Sequence, residues 1–301
     1  MVRSYFPGAM RNEDAIKGVV HIAEGLGMNE VNTLFAYSVC PDEINHDHAD
    51  LAYVLHNHFG PSFSLGGLGG IPFSGKTGFG AYASHVPDDG YIFVLFAPHC
   101  AVSPKTYASD MQFTPEEHIC GYYHRLGQKQ LSTACGACLG AYKAVKNMDS
   151  LPQMSILSRD SQMDYIKQLL YENKPRIAAA SNAAREITDI MFEHIRDYIM
   201  DIVDYEKFIK HRKIALLGGI QINVQPDDYF EPRVFIVLDD HGTHDHLEEL
   251  LSYDKICVKD QTVPVRRNRN DMHSVVENVK KRLRPHSTSP GRKLEPDSPE
   301  I

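Results

Sequence analysis

Apolar residues along this chain of 301 residues follow two periods in turn. Ile16, Val19, Val20 and Ala23 recur at helical spacing behind Asn12, Glu13 and Asp14, which predict an N-cap and a first turn, and Gly25 and Gly27 predict the helix end. Leu34-Phe35-Ala36-Tyr37-Ser38-Val39 then reads as a short strand. It stops at Cys40-Pro41-Asp42-Glu43, where proline prevents the ladder from continuing. Residues 45–58 read as a His-rich loop with a helical turn. The glycine-dense stretch from Phe63 to Gly80 reads as a loop packed over strand ends, because glycine permits backbone conformations and close approaches that side chains forbid. A second strand, Tyr91 to Phe96, is a continuous apolar run ending at Ala97-Pro98-His99. Residues 104–130 show no period, and Cys135 opens a helix that runs through Lys146.

The second half is more regular. Helical spacing covers Met154 to Tyr171 and Asn182 to His211, where Ile187, Ile190, Met191, Ile195, Tyr198 and Ile202 form one stripe suited to a core or a dimer interface. Strands are expected over Lys213 to Val224 and Arg233 to Leu238, and helical spacing returns from His244 to Tyr253. Beyond Pro264 the composition turns to Arg, Asn, Lys, Ser and Pro, with one short helix expected over Met272 to Leu283 in an otherwise disordered stretch. The division is therefore one domain over residues 1–260 and a basic tail over 261–301. Strands alternating with helices give an α/β class, in which ligands collect at the carboxyl ends of the strands.

Composition narrows the function. A hydrophobic fraction of 43% supports a real core. The formal charge is −8, yet the tail carries nine Lys and Arg against five Asp and Glu, so the body holds about −12 and offers no nucleic-acid surface. No window approaches the roughly 18 apolar residues of a membrane span, and no secretory pattern opens the chain, so the expected location is the cytoplasm or an organelle stroma. Six cysteines spread along the chain fit a reducing compartment in which some thiols bind metal or are buried.

Four constellations carry chemistry. Gly70 to Thr77 satisfies G-x-x-x-x-G-K-[ST], with Lys76 and Thr77 as the nucleotide-binding residues and Val234 to Asp239 as an apolar strand ending in a magnesium-holding aspartate. A phosphate cradle needs a strand before it and a helix straight after it; Leu65 to Gly69 is too glycine-rich for the strand, and Gly78-Phe79-Gly80 is a poor helix start, so a packed glycine loop is favoured. Cys135-Gly136-Ala137-Cys138 is a C-x-x-C at a helix start, which keeps a redox pair open. His46-Asp47-His48 and His241 to His246 have metal-like composition but lie in polar stretches and are left outside the site. Cys40, His99 and Cys135, with Asp42 beside the first, come from three different elements. Two thiolates and an imidazole fill three positions of a tetrahedral zinc whose fourth is open to water, or to Asp42 itself.

Ser38 to Asn45, Leu65 to Gly80, His85-Val86-Pro87, Phe96 to His99 and Ala134 to Ala137 resemble, in that order, the limiting-CO2-inducible protein B family, whose members are similar to β-carbonic anhydrases. The resemblance runs from about residue 12 to 255. It implies a homodimeric α/β fold with a central mixed β-sheet flanked by helices, a zinc ion held by Cys40, His99 and Cys135, and Asp42 as the carboxylate that works beside it. It also implies a zinc-dependent carbonic anhydrase that interconverts CO2 and bicarbonate; from the charge and hydropathy above, no nucleic-acid or membrane partner is expected. In β-carbonic anhydrases an arginine holds that carboxylate off the metal. Here no arginine lies between Arg11 and Arg125. Either Arg125 is the partner, or the partner comes from elsewhere in the dimer; without one, Asp42 is free to close the metal, which gives a catalytically inactive, zinc-stabilised member as the alternative.

Overall fold

The computed structural model describes residues 2–45, 50–101, 134–151, 158–203, 213–224 and 228–257. In chain order the elements are α1 (Val2–Tyr5), β1 (Met10–Arg11), α2 (Asn12–Gly25), β2 (Thr33–Val39), α3 (Leu51–Phe59), β3 (Ser62–Ser64), α4 (Gly75–Ala83), β4 (Tyr91–Ala97), β5 (His99–Ala101), α5 (Gly136–Val145), α6 (Ser161–Glu172), α7 (Lys174–Ala179), α8 (Ala183–Val203), β6 (Lys213–Asn223), β7 (Tyr229–Asp239), β8 (Gly242–Asp245) and α9 (Leu247–Cys257). The strands form one mixed sheet in the order β1-β7-β6-β4-β2-β3, with β5 on β6 and β8 on β7. Pairings among β2, β3, β4, β5 and β6 are parallel; those of β7 with β1, β6 and β8 are antiparallel.

Strand β4 is buried at all seven positions, which is why its sequence is a continuous apolar run instead of an alternating one. The pleat sends Ile92, Val94 and Phe96 to one face, where they pack with Ile187, Ile190, Met191 and Ile195 of α8. Phe93 and Leu95 go to the other face, with Val19 and Ile22 of α2 and Leu55 of α3. The apolar stripe of α8 is thus core, with Tyr198 half-buried at its edge. An ionic cluster holds α8 to β7: Arg233 reaches Asp189 at 2.7 Å and Glu231 at 2.8 Å, and Arg185 reaches Asp189 at 2.9 Å. No helix among the described residues is long and apolar enough to cross a membrane.

Four expectations are corrected. Residue Asn12 is not a cap: Arg11 precedes the helix, and Asn12 is buried with its amide on Asp50 at 3.5 Å. Residues 51–59 form a full helix, anchored by Leu51, Ala52, Leu55 and Phe59 on its buried side despite the intervening histidines. The glycine-dense stretch is not all loop. Its second half is α4, where Phe79, Tyr82 and Ala83 at i, i+3 and i+4 supply burial that outweighs the weak propensity of Gly78 and Gly80. Tyr82 Oη adds hydrogen bonds to the carbonyls of Leu34 and, at 3.2 Å, Phe93. Finally, His244 and Asp245 belong to strand β8, and the helix begins only at Leu247. Expectations for 104–130, for 154–157, for 204–211 and for the tail from 261 lie outside the described residues.

Candidate metal centre

Cys40 is the first residue past β2, His99 opens β5 directly after Pro98, and Cys135 stands just before the first turn of α5. Pairing of β2 with β4 from Thr33↔Tyr91 to Val39↔Ala97 keeps the two strands level, so both end at the same sheet edge. One donor atom from each of Cys40, His99 and Cys135 lies within 4.8 Å of the others. The two sulfurs are 3.8 Å apart. All three residues are buried, at 3, 1 and 3% exposure.

The glycine stretch is what lets these elements converge. A Cβ on Gly66 would sit 2.6 Å from the Val39 carbonyl oxygen, one on Gly70 2.7 Å from the Ala97 carbonyl oxygen, and one on Gly69 3.0 Å from Cys138 Sγ on α5. The ends of β2 and β4 are thus met by glycines where a methyl group would clash with backbone, and at Gly69 it would press tightly on α5. Gly69 and Gly70 also take φ of 67° and 86°, values that side chains disfavour. Ser38 Oγ fastens the stretch by donating to the Gly70 carbonyl at 2.8 Å.

The electrostatics suit a cation. The Cys40 thiol is pushed far above the usual thiol range, first by its hydrogen bond with Cys135 and then by burial. Cys135 is likewise raised, chiefly by a hydrogen bond with Cys138, with burial adding to it. A dication reverses this balance by favouring the thiolates. Tetrahedral zinc with Zn–S bonds of about 2.3 Å places its sulfurs about 3.8 Å apart, which is the separation found here. Two thiols at that separation with an imidazole beside them make a donor set whose chemistry fits zinc.

His99 Nδ1 faces Asn223 Oδ1 at 3.3 Å, Asn223 Nδ2 donates to Asp228 Oδ2 at 3.3 Å, and the Val224 N–H donates to Asp228 Oδ1 at 2.7 Å. A pocket of about 550 Å³ opens over the sulfurs, lined among others by Leu68, Leu139, Asp42 and Lys143. Asp42 is half-buried, stands outside the three-donor group, and accepts a hydrogen bond from the Ile44 N–H at 3.4 Å.

The remaining candidates disperse. Cys138 is buried but outside the donor group. Lys76 points outward and pairs with Asp201 at 3.2 Å. The helix that the phosphate motif requires does begin at Gly75, contrary to expectation, but a short 3-10 turn, Leu68–Gly70, precedes it instead of a strand. His241 and His244 are exposed. His46, His48 and Arg125 lie outside the described residues. Sequence reasoning missed Lys143, Asn223 and Asp228. For Lys143 a signal existed: Gly136, Leu139, Gly140 and Lys143 fall on one face of the helix that Cys135 starts.

Among solved structures the fold is similar to PtLCIB4, a homolog of the limiting CO2-inducible protein LCIB, with 27% identity and a TM-score of 0.66 over 81% of this chain and 97% of that one. A mutant of PtLCIB4 gives 25% identity and a TM-score of 0.67 over 81% and 95%. The limiting CO2-inducible protein LCIB itself, 20% identical over 80% of this chain and 95% of that one, shares the fold with a TM-score of 0.57. Comparison with curated proteins finds no matching sequence. A family profile described as limiting CO2-inducible proteins B/C beta carbonic anhydrases matches residues 9–239. With that profile spanning most of the sheet and all three donors, the chain belongs to the limiting CO2-inducible protein B/C β-carbonic anhydrase family.

Proposed function

We propose that this chain is a zinc-dependent carbonic anhydrase that interconverts CO2 and bicarbonate. The observation that carries the reading is the buried meeting of Cys40, His99 and Cys135 beneath a pocket that also reaches Asp42. Zinc held by these three residues supplies a water of lowered pKa, and so a nucleophile at ordinary pH. Cys40 and Cys135 bring two negative charges and His99 none, so hydrogen bonding around the site has more to do than in a three-histidine centre. Leu68 and Leu139 give CO2 an apolar wall, where a small nonpolar substrate displaces water. Asp42 Oδ accepts the hydrogen bond of the attacking group and orients it, and the Lys143 ammonium on the same wall complements the charge of bicarbonate. The reaction is assigned to residues 1–260, and a homodimer is the expected assembly, tested by sedimentation.

Stopped-flow CO2 hydration on zinc-replete protein tests the reading, with Cys40→Ala as control. Hydration well above the uncatalysed rate that vanishes in the control supports it; a rate equal to buffer with zinc bound rejects it. One observation favours a second reading, an inactive zinc-stabilised member in which Asp42 closes the metal. Among the described residues the Asp42 carboxylate has no arginine beside it and takes a single backbone N–H. Asp42→Ala separates the two, since it opens a position for an added anion such as thiocyanate only if the carboxylate had filled it.

A further inference from the structure

We propose that Asn223 is a positioning residue that fixes which nitrogen of His99 carries the proton, and that Asp228 fixes Asn223. The inference rests on reading Cys40, His99 and Cys135 as a metal centre.

A neutral imidazole protonates one nitrogen and leaves the lone pair on the other, and only the bare nitrogen can ligate. Buried at 1% exposure, His99 has no bulk water to make that choice. The Asn223 amide, also 1% exposed, could present either its oxygen or its NH2 group, which have nearly the same shape. Asp228 decides between them. Its carboxylate accepts hydrogen bonds and does not donate when ionised, so the Asn223 NH2 turns to Asp228 Oδ2 at 3.3 Å and the amide oxygen turns to His99 Nδ1 at 3.3 Å. Nδ1 must then carry the proton, and the Nε2 lone pair is left for the cation that the two sulfurs approach.

The far end of this relay is anchored independently of His99. The Val224 N–H holds Asp228 Oδ1 at 2.7 Å, and the Asp228 carbonyl accepts the Asn12 N–H at 2.9 Å where α2 begins. Strand register explains the meeting. In the parallel β5–β6 pair His99 stands level with Gln221 and Ala101 with Asn223, so Asn223 is the next residue on the same face of β6. Gln221 is turned away to Asp50 at 3.2 Å, and Asn223 is the one left to His99. Partners of this kind raise ligand basicity and set ring orientation, and their loss typically weakens metal binding ten- to hundredfold.

The test is a titration of the full chain with Co2+ against a competing chelator, read by the thiolate-to-cobalt absorption band. Histidine-selective 15N NMR reports the protonated nitrogen of His99 alongside it. Asn223→Leu should bind Co2+ about ten- to hundredfold more weakly and lose the single Nδ1–H form. The exchanged pair, Asn223→Asp with Asp228→Asn, returns an acceptor to Nδ1 and a donor behind it, and should recover affinity to within a fewfold of the parent. Equal affinity and an unchanged tautomer in Asn223→Leu overturn the proposal. So does a weakened Asn223→Leu whose exchanged pair is equally weak with Nδ1–H intact, since that pattern reports a packing defect. A parent chain with no thiolate-to-cobalt band removes the metal-centre reading and this inference with it. Should Asn223→Leu fail to fold, the isosteric Asp228→Asn carries the test: it frees the amide to flip, so a mixed tautomer and a severalfold loss are expected, and an unchanged single tautomer refutes the relay.

Discussion

Two glycines in this molecule should respond to the same substitution with opposite signs. At Gly70, alanine must adopt φ of 86°, and its methyl group would lie 2.7 Å from the Ala97 carbonyl oxygen and 3.4 Å from Ile195 Cδ1. The left-handed backbone costs roughly 1–2 kcal/mol for an L side chain. Forcing a methyl into a packed interior typically costs about 1–3 kcal/mol more. Gly70→Ala should therefore lose about 2–5 kcal/mol of folding stability. Since Ala97 stands two residues before His99, the displacement is delivered to a ligand, and Co2+ affinity should fall as well. Gly140 lies in the middle of α5, is exposed, and has nothing within 4 Å of its would-be methyl. Gly140→Ala should gain up to about 1 kcal/mol from helix propensity. Urea unfolding of both variants with metal chelated measures the signs directly. If Gly70→Ala matched the parent within about 0.5 kcal/mol, below the cost of either strain or clash, the idea that this stretch sets the spacing of the ligand-bearing elements would be wrong.

Other outcomes follow from the site and the core. Lys143→Met should raise KM for bicarbonate dehydration severalfold while leaving KM for CO2 nearly unchanged, because only one of the two substrates carries charge; equal effects on both would remove Lys143 from the bicarbonate contact. Chelation should lower the thermal midpoint, and zinc at about a thousandfold over its dissociation constant should restore roughly 4 kcal/mol, checked by differential scanning with and without metal. Burial holds the His194 imidazole below its ordinary pKa, against the opposing charges of Asp197 and Glu172. The folded state therefore binds fewer protons there than the unfolded chain. That stability is present above the unfolded pKa of about 6.5 and declines as pH falls through it toward the depressed folded value. His194→Gln should flatten that part of the stability curve measured by urea unfolding; an unaltered slope would assign the acid sensitivity elsewhere.

The parts of this fold that sequence reveals are those where one interaction dominates. Tyr91 to Phe96 is legible because both faces of β4 are covered, so every position must be apolar. Cys40 and His99 are legible because a proline ends each strand beside them and marks the sheet edge. Helix α4 was hidden because its glycines argue locally against a helix, while the burial of Phe79 and Tyr82 that overrides them is tertiary. Strand β8 was hidden because all four of its residues are exposed and show no alternation. Asn223 and Asp228 were beyond reach for a different reason. Their roles depend on which residue of β6 stands opposite β5, and no local pattern encodes register between strands that are more than a hundred residues apart.

The parallel pairing of β2, β4 and β6 has a kinetic consequence. Positions 40, 99, 135 and 223 meet only after long stretches of chain have closed, and pairings of such high contact order form slowly. Only Cys135 has a second thiol close in sequence, Cys138, so a cation that takes Cys40, His99 and Cys135 together finds its full donor set only on a nearly finished sheet. Interactions made after the transition state leave the folding limb of a chevron plot in place and lower the unfolding limb. In this molecule metal would act as a latch on the closed structure: refolding would proceed at the same pace with or without it, and escape from the folded state would become the slow step.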